Sequence, residues 1–325
     1  MTDLDQEVEA AEGRIREFVP ESPVAPSPDL AEQLGASVYL KLENLQVTGS
    51  FKIRGAFNKL LSLDVEARRR GIVTASTGNH GIAVRYAAEE LGIPGMIVLP
   101  ENVSPRKVEA LKNSPLEVKL FGSDCVAAET FARQESLDRG SVYVSPYNDP
   151  LVIAGQGTIA IELARQLDAV EVVLVPVGGG GLISGIAGYL RETGRPTRVI
   201  GCLPETSPEM YRSVQAGRRI EPLGLATLSD GTVGGFEAGS ITFELCQRYV
   251  SDWVLVNEDE IRDAMRTIVE RHGLRIEGSA AVVVAAAFKL GKHLAGKNVA
   301  LVVSGGNVDP GKFEELSPKA KRGGG

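Results

Sequence analysis

Lys52 stands in the segment Lys41-Leu-Glu-Asn-Leu-Gln-Val-Thr-Gly-Ser-Phe-Lys52-Ile-Arg-Gly-Ala56, where the apolar run 38–42 passes through a Gly-Ser turn into a helical pattern. Ser50 is of the residue type that caps a helix start, which puts the lysine in the first turn. A cation there opposes the positive end of the helix dipole. Two readings follow. Either the ammonium reaches solvent, as most lysines do, or it is neutralised, for instance as a Schiff base with an aldehyde cofactor. Taken alone, the lysine favours solvent, so the case for chemistry must come from other segments.

Two glycine loops follow strand-like runs and open helical ones, the place where α/β sheets bind ligands. The first is Ser76-Thr-Gly-Asn-His-Gly81 and the second is Gly178-Gly-Gly-Gly-Leu182. Four consecutive glycines let successive backbone N–H groups converge, and the following helix adds its dipole, giving a phosphate cradle without a charged side chain. A tight strand-to-helix turn would need only one or two glycines. The dinucleotide fingerprint G-x-G-x-x-G is not met, since the window from Gly179 ends in Ser184. Gly155-Gln-Gly157-Thr-Ile-Ala160 meets G-x-G-x-x-A, but no strand precedes it, so it reads as the start of a helix with close packing. A third loop, Ser304-Gly-Gly-Asn307, ends the run 299–303. By itself it is an ordinary turn; beside a lysine and a phosphate cradle it could supply a hydroxyl to a ring nitrogen. His80 by itself reads as a histidine making local hydrogen bonds near a helix start. His80, His272 and His293 show no metal-ligand spacing, and no G-x-S-x-G elbow occurs.

The elements that must position these residues alternate. Strands are expected at 38–42, 72–75, 95–99, 116–120, 142–144, 171–177, 198–203, 253–256 and 299–303. Helices are expected at 79–91, 105–112, 127–139, 151–166, 182–193, 259–271 and 278–290. This is the βα alternation of doubly wound, mostly parallel sheets. Nine strands are many for one twisted sheet, so two sheets are expected. The compact run of four strands puts a small domain at 71–147, inserted into a large one made of 1–70 and 148–325. The tail from Ser317 is expected to be disordered.

At 325 residues, with 43% apolar and 24% charged residues, the composition is that of a soluble globular protein. A net charge of −7 with no offsetting basic cluster argues against a nucleic-acid surface. The acidic, helical segment 1–17 has no apolar core of a signal peptide, and no run approaches a membrane span. Three sparse cysteines (Cys125, Cys202 and Cys246) fit a reducing cytoplasm, and Cys202 reads as a small buried hydrophobe.

In order along nearly the whole chain, K-L-E-N-x-Q-x-T-G-S-F-K-x-R-G-A, S-T-G-N-H-G, G-Q-G-T, G-G-G-G-L and S-G-G-N resemble the serine/threonine dehydratase and serine racemase family of pyridoxal-phosphate enzymes, fold type II. By that resemblance Lys52 binds the aldehyde of pyridoxal 5'-phosphate and later moves the α-proton of the substrate. Phe51 lies against one ring face and Gly231 near the other. Asn79 serves the ring hydroxyl, and the backbone of Gly178, Gly179, Gly180, Gly181 and Leu182 holds the phosphate. The loop of Ser76, Thr77, Asn79 and His80 grips the substrate carboxylate. Ser304 meets the pyridine nitrogen, and Glu277 occupies the acidic position near the ring.

A neutral hydroxyl at that nitrogen makes the ring a weaker electron sink, so a carbanion beside a β-hydroxyl expels it. The resemblance therefore implies dehydration of L-threonine or L-serine to a 2-keto acid and ammonia, by a cytoplasmic, homodimeric lyase. The alternative is a serine racemase, or a dehydratase of 3-hydroxyaspartate, phenylserine or a hydroxyectoine-derived amino acid. Thr77 stands where family racemases carry the serine that works the opposite face. Leu203 replaces the first glutamate of the family's divalent-cation site, while Glu209 keeps the second position and Glu205 could compensate. No metal is expected, and neither is a C-terminal regulatory domain.

Overall fold

The computed structural model describes residues 3–103, 108, 114, 116–123 and 125–308, and its strands form two sheets. In the larger, the spatial order is β1 (Val24–Pro26), β2 (Ser37–Leu42), β10 (Asn298–Val303), β7 (Val172–Pro176), β8 (Arg198–Pro204) and β9 (Asp252–Val256). Only β1 runs antiparallel to its neighbour. The smaller sheet runs β5 (Leu116–Leu120), β4 (Gly95–Leu99), β3 (Ile72–Ala75) and β6 (Val142–Tyr143), all parallel. Both faces of a parallel sheet are covered, which is why β7 reads Val-Val-Leu-Val-Pro with every residue buried.

The helices are α1 (Leu4–Ile15), α2 (Pro28–Leu34), α3 (Lys52–Leu61), α4 (Val65–Arg70), α5 (Asn79–Glu90) and α6 (Cys125–Arg139), followed by α7 (Pro150–Gln166), α8 (Gly181–Glu192), α9 (Glu209–Ala216), α10 (Ile241–Tyr249), α11 (Glu258–His272) and α12 (Gly278–Leu290). Helix α12 is apolar nearly all round, the pattern of a buried helix, and it packs against α11 and the strands β7 to β10. All nine expected strands are present, with ends shifted slightly. The expected helix at 105–112, apart from Val108, and the tail from Ser317 lie outside the described residues. The sequence reading had no signal for β1, too short to alternate, nor for the short helices α2, α4, α9 and α10. No helix among the described residues is long and apolar enough to cross a membrane.

Ser50 does not cap α3. Phe51 takes the cap position, and the buried Ser50 hydroxyl has no partner among the described residues. The end of β10 holds the turn instead. Phe51 N–H donates to the Ser304 carbonyl (3.0 Å), Gly306 N–H to that of Gly49 (2.9 Å), and Ser50 bridges to Gly305. Gly49 sits at φ +71, a left-handed conformation that favours glycine. The Gly155–Gly157 pair likewise lies inside α7 rather than at its start, which Asp149 caps by accepting from Leu151 N–H at 2.8 Å. Its close packing is real. A Cβ on Gly155 would stand 2.7 Å from the Arg54 carbonyl and from Gly55 Cα, so α3 and α7 meet backbone to backbone.

A buried charge network locks that contact. Arg54 forks onto Glu43 through Nε and Nη2, each at 2.8 Å, and reaches the two oxygens of Glu162 at 2.6 and 2.8 Å. It also donates to Thr158 Oγ1 at 3.0 Å. Lys41 Nζ donates to Glu162 (2.5 Å), the Ser22 carbonyl (2.7 Å) and Gln166 Oε1 (2.8 Å). Lys41, Glu43, Arg54 and Glu162 have no exposed side-chain surface, and their charges cancel. Removing one partner from such a set leaves a bare buried charge.

Arg54→Met should therefore lose about 3–5 kcal/mol in urea denaturation. Burial alone would raise the Glu162 carboxyl, but Arg54 and then Lys41 outweigh it and hold it down to about 2. The stabilisation from Glu162 is complete above the ordinary carboxylate range and is lost as pH falls through that range towards about 2. The urea midpoint should fall across this window, and less steeply in Glu162→Gln.

Candidate active site

Ligands of open α/β sheets gather at the carboxyl ends of strands. Here β2, β10 and β7 are neighbours, and their ends deliver Lys52, Ser304 and the four glycines to one place. From the smaller sheet, β3 leads into the 76–80 loop and β6 into Pro146 and Tyr147. Between them lies a cavity of about 270 Å³. All the residues singled out in the sequence line it: Phe51, Lys52, Ser76, Thr77, Asn79, His80, Gly178, Gly179, Gly180, Gly181, Leu182, Gly231, Glu277 and Ser304.

Lys52 begins α3, its amine over the Phe51 ring (5.1 Å to the centroid) and donating to the Pro146 carbonyl at 2.7 Å. Among the described residues no carboxylate comes within ion-pair distance of it. Burial pulls its pKa down to about 8, against the pull of Glu277 and then Glu129. Lys41, in the same segment, is held by a carboxylate at 2.5 Å and is fully buried.

The 178–181 turn is built so that only glycine fits. A Cβ on Gly179 would stand 2.5 Å from the Tyr147 ring, one on Gly178 2.9 Å from Thr232 Cα, and one on Gly181 3.0 Å from Tyr147 Cα. Gly180 adopts φ +87. Helix α8 starts at Gly181, so its unsatisfied N–H groups and its dipole face the cavity.

Asn79 opens α5 and joins the two sheets. Its Nδ2 donates to the Glu277 oxygens at 2.8 and 3.1 Å, and its Oδ1 accepts from Asn307 Nδ2 at 2.8 Å. Asn307 in turn donates to the Thr48 carbonyl at 2.8 Å. Burial pushes the Glu277 carboxyl up to about 7, opposed by Asn79 and Lys52 and reinforced by Asp230. His80 Nε2 lies 3.0 Å from the Val144 carbonyl, which can only accept, so the hydrogen sits on Nε2. Burial and then Lys52 hold that imidazole down to about 3, so the ring is neutral. Its side chain is committed to Val144, and what His80 offers the loop is its backbone.

Sequence reasoning missed Tyr147, Ser279 and Glu129, which also line the cavity. Ser279 Oγ accepts from Gly231 N–H (3.0 Å), and Tyr147 Oη accepts from Glu237 N–H (2.9 Å), so both fix the 230–237 loop. None of the three carries a glycine or spacing signature. Glu129 in particular looks like the solvent face of a polar helix. At the family's cation position, Leu203 is buried and Glu209 accepts from Ser207 Oγ (2.6 Å) and Leu223 N–H (3.2 Å). Glu205 pairs with Lys289 at 3.1 Å. Cys202 is fully buried, as expected, and burial pushes its thiol pKa upward.

The profile of the family described as pyridoxal-phosphate dependent enzyme matches residues 15–305. The L-threonine ammonia-lyase of Thermotoga maritima is 42% identical over 315 residues, covering 97% of this chain and 78% of the relative. The beta-hydroxyaspartate dehydratase of Paracoccus denitrificans is 37% identical, with 94% of this chain and 96% of the relative covered. Among solved structures, serine racemase from Dictyostelium discoideum superposes with a TM-score of 0.87 at 34% identity, covering 94% of this chain and 98% of its own.

Only a neutral amine is a nucleophile. Reductive methylation of the cofactor-free protein, mapped by mass spectrometry, should label Lys52 with a rate that rises to a midpoint near pH 8, while Lys41 stays unlabelled. An ordinary lysine midpoint above about 10 at Lys52 would contradict the geometry.

Proposed function

This chain belongs to the family of pyridoxal-phosphate dependent enzymes, and from that premise we propose that it removes the β-hydroxyl of L-threonine or L-serine, releasing a 2-keto acid and ammonia. One observation carries this reading: a half-buried lysine, with no carboxylate partner among the described residues, shares a cavity with a glycine-only cradle and the hydroxyl residue Ser304. The set fits pyridoxal phosphate, with an amine for the aldehyde, convergent backbone N–H groups for the phosphate, and a neutral partner for the ring nitrogen.

The bound cofactor supplies an electron sink for negative charge at the substrate α-carbon. The residues of the chain do the rest. Lys52 would hold the aldehyde at rest and, as a free amine, would take the α-proton on Nζ. The amides of Gly178, Gly179, Gly180, Gly181 and Leu182 hold the phosphate. Phe51 covers one ring face, and Gly231 leaves room at the other. Asn79 Nδ2 carries two hydrogens, one for Glu277 and one for the ring hydroxyl. Ser304, being uncharged, does not hold the ring nitrogen protonated, which favours loss of the β-hydroxyl over return of the proton. Ser76, Thr77, Asn79 and the backbone of His80, at the start of α5, receive the substrate carboxylate.

The likeness to a serine racemase keeps a second reading alive. Thr77 has the hydroxyl that a proton relay on the opposite face needs, with an added methyl group that crowds it. By family likeness we also read the protein as a cytoplasmic homodimer, which sedimentation would measure. Residues 71–147, which hold the four-stranded sheet, are read as a small domain, with 1–70 and 148–325 as the large one.

Purified enzyme should release keto acid from L-threonine and L-serine, and Lys52→Ala should lower that rate by about a thousandfold. Release by Lys52→Ala at the parent rate would sink the proposal. Chiral analysis of the serine left over distinguishes pure elimination, with only the L form remaining, from accompanying racemisation.

A further inference from the structure

Glu129 reaches the cavity from α6, on the side of the four-stranded sheet. Among the described residues no hydrogen bond or ion pair holds its carboxylate. The groups around it are Arg133 on its own helix, Lys52 on α3, Tyr143 on β6, Tyr147 in the following loop, and Glu237 in the loop before α10. Arg133 is the one guanidinium there, and it is spent. It pairs with Glu237 at 2.5 Å and lies over the Tyr143 ring at 4.3 Å. Among the described residues, Lys52 is the one lysine or arginine in the cavity lining, and the proposed reaction occupies it.

A substrate with a single carboxylate finds the amides at the start of α5. A second carboxylate, on the side chain, would find no free cation among the described residues and would meet Glu129. Resting on the reading of the site as a hydroxy amino acid dehydratase, we propose that Glu129 sets the substrate class. It admits hydroxy amino acids with uncharged side chains and rejects dicarboxylates such as 3-hydroxyaspartate. Burial, reinforced by Glu237 and opposed by Arg133 and Lys52, pushes the Glu129 carboxyl up to about 7. Rejection therefore grows as pH rises through neutrality. The distinction separates the substrate classes named for the Thermotoga and Paracoccus relatives.

Succinate and butyrate, with and without the second carboxylate, probe this on the holoenzyme by calorimetry. Wild type should bind succinate more weakly as pH rises from about 6 to about 8, with butyrate nearly level. Glu129→Gln should flatten that dependence and tighten succinate by about tenfold at the upper end. It should also raise the kcat/KM ratio of 3-hydroxyaspartate over L-threonine. Glu129→Ala, which removes the charge with a different shape, should move succinate in the same direction. Unchanged succinate binding and pH dependence in both variants overturns the inference, as does wild-type turnover of 3-hydroxyaspartate on a par with L-threonine. If wild type releases no keto acid from any hydroxy amino acid, the proposed function fails, while the succinate comparison still decides the role of Glu129.

Discussion

Arg54 lies with no exposed surface between Glu43 and Glu162, and Lys41 completes a set of two cations and two anions. Buried charge is tolerable only when it cancels and every lone pair is met, so these four residues fix one another's positions within narrow limits. They come from β2, the turn Glu43–Leu45, α3 and α7. Whatever sets Arg54 also sets Lys52, less than a turn away at the start of the same helix. The network has a second effect. Burial lowers the pKa of both lysines of this segment, but Lys41 has no exposed side-chain surface and is held by the Glu162 carboxylate. Lys52 is given only a backbone carbonyl, and its amine is free to react near neutral pH.

Sheet order does the remaining positioning. Lys52, the tetraglycine turn and Ser304 are distant in sequence, yet they follow three adjacent parallel strands, β2, β7 and β10. The loop 304–307 is stitched to the turn before Lys52 by Phe51 and Gly306 N–H groups and by the Asn307 amide. Asn79 then ties the smaller sheet to this assembly through Glu277 and Asn307.

Much of this was legible in the sequence because its signals are local. β-Branched runs marked the strands, and glycines marked the turns where a Cβ would collide. Family likeness gathered fourteen of the residues that line the cavity, and the cofactor. The rest depends on contacts between distant segments, which periodicity does not carry. Ser50 has the chemistry of a cap, but its hydroxyl points into a region where β10 already holds the backbone, so the cap is not made. Gly155 read as a helix start with close packing; the packing is there, but inside the helix, and its partner Gly55 could not be read from the spacing. Lys41, Glu43 and Arg54 stood inside the most specific motif, yet nothing in their spacing said that they were structural. Glu129 stood outside every motif and faces the cavity.

The central claim is that, of the two lysines in this segment, Lys52 carries the cofactor because no carboxylate among the described residues holds it. Borohydride reduction of the holoenzyme followed by peptide mass spectrometry tests that most directly. The expected result is one pyridoxyl-phosphate adduct per chain, on the peptide containing Lys52. An adduct on Lys41 or any other lysine, or none with the cofactor bound, would contradict it.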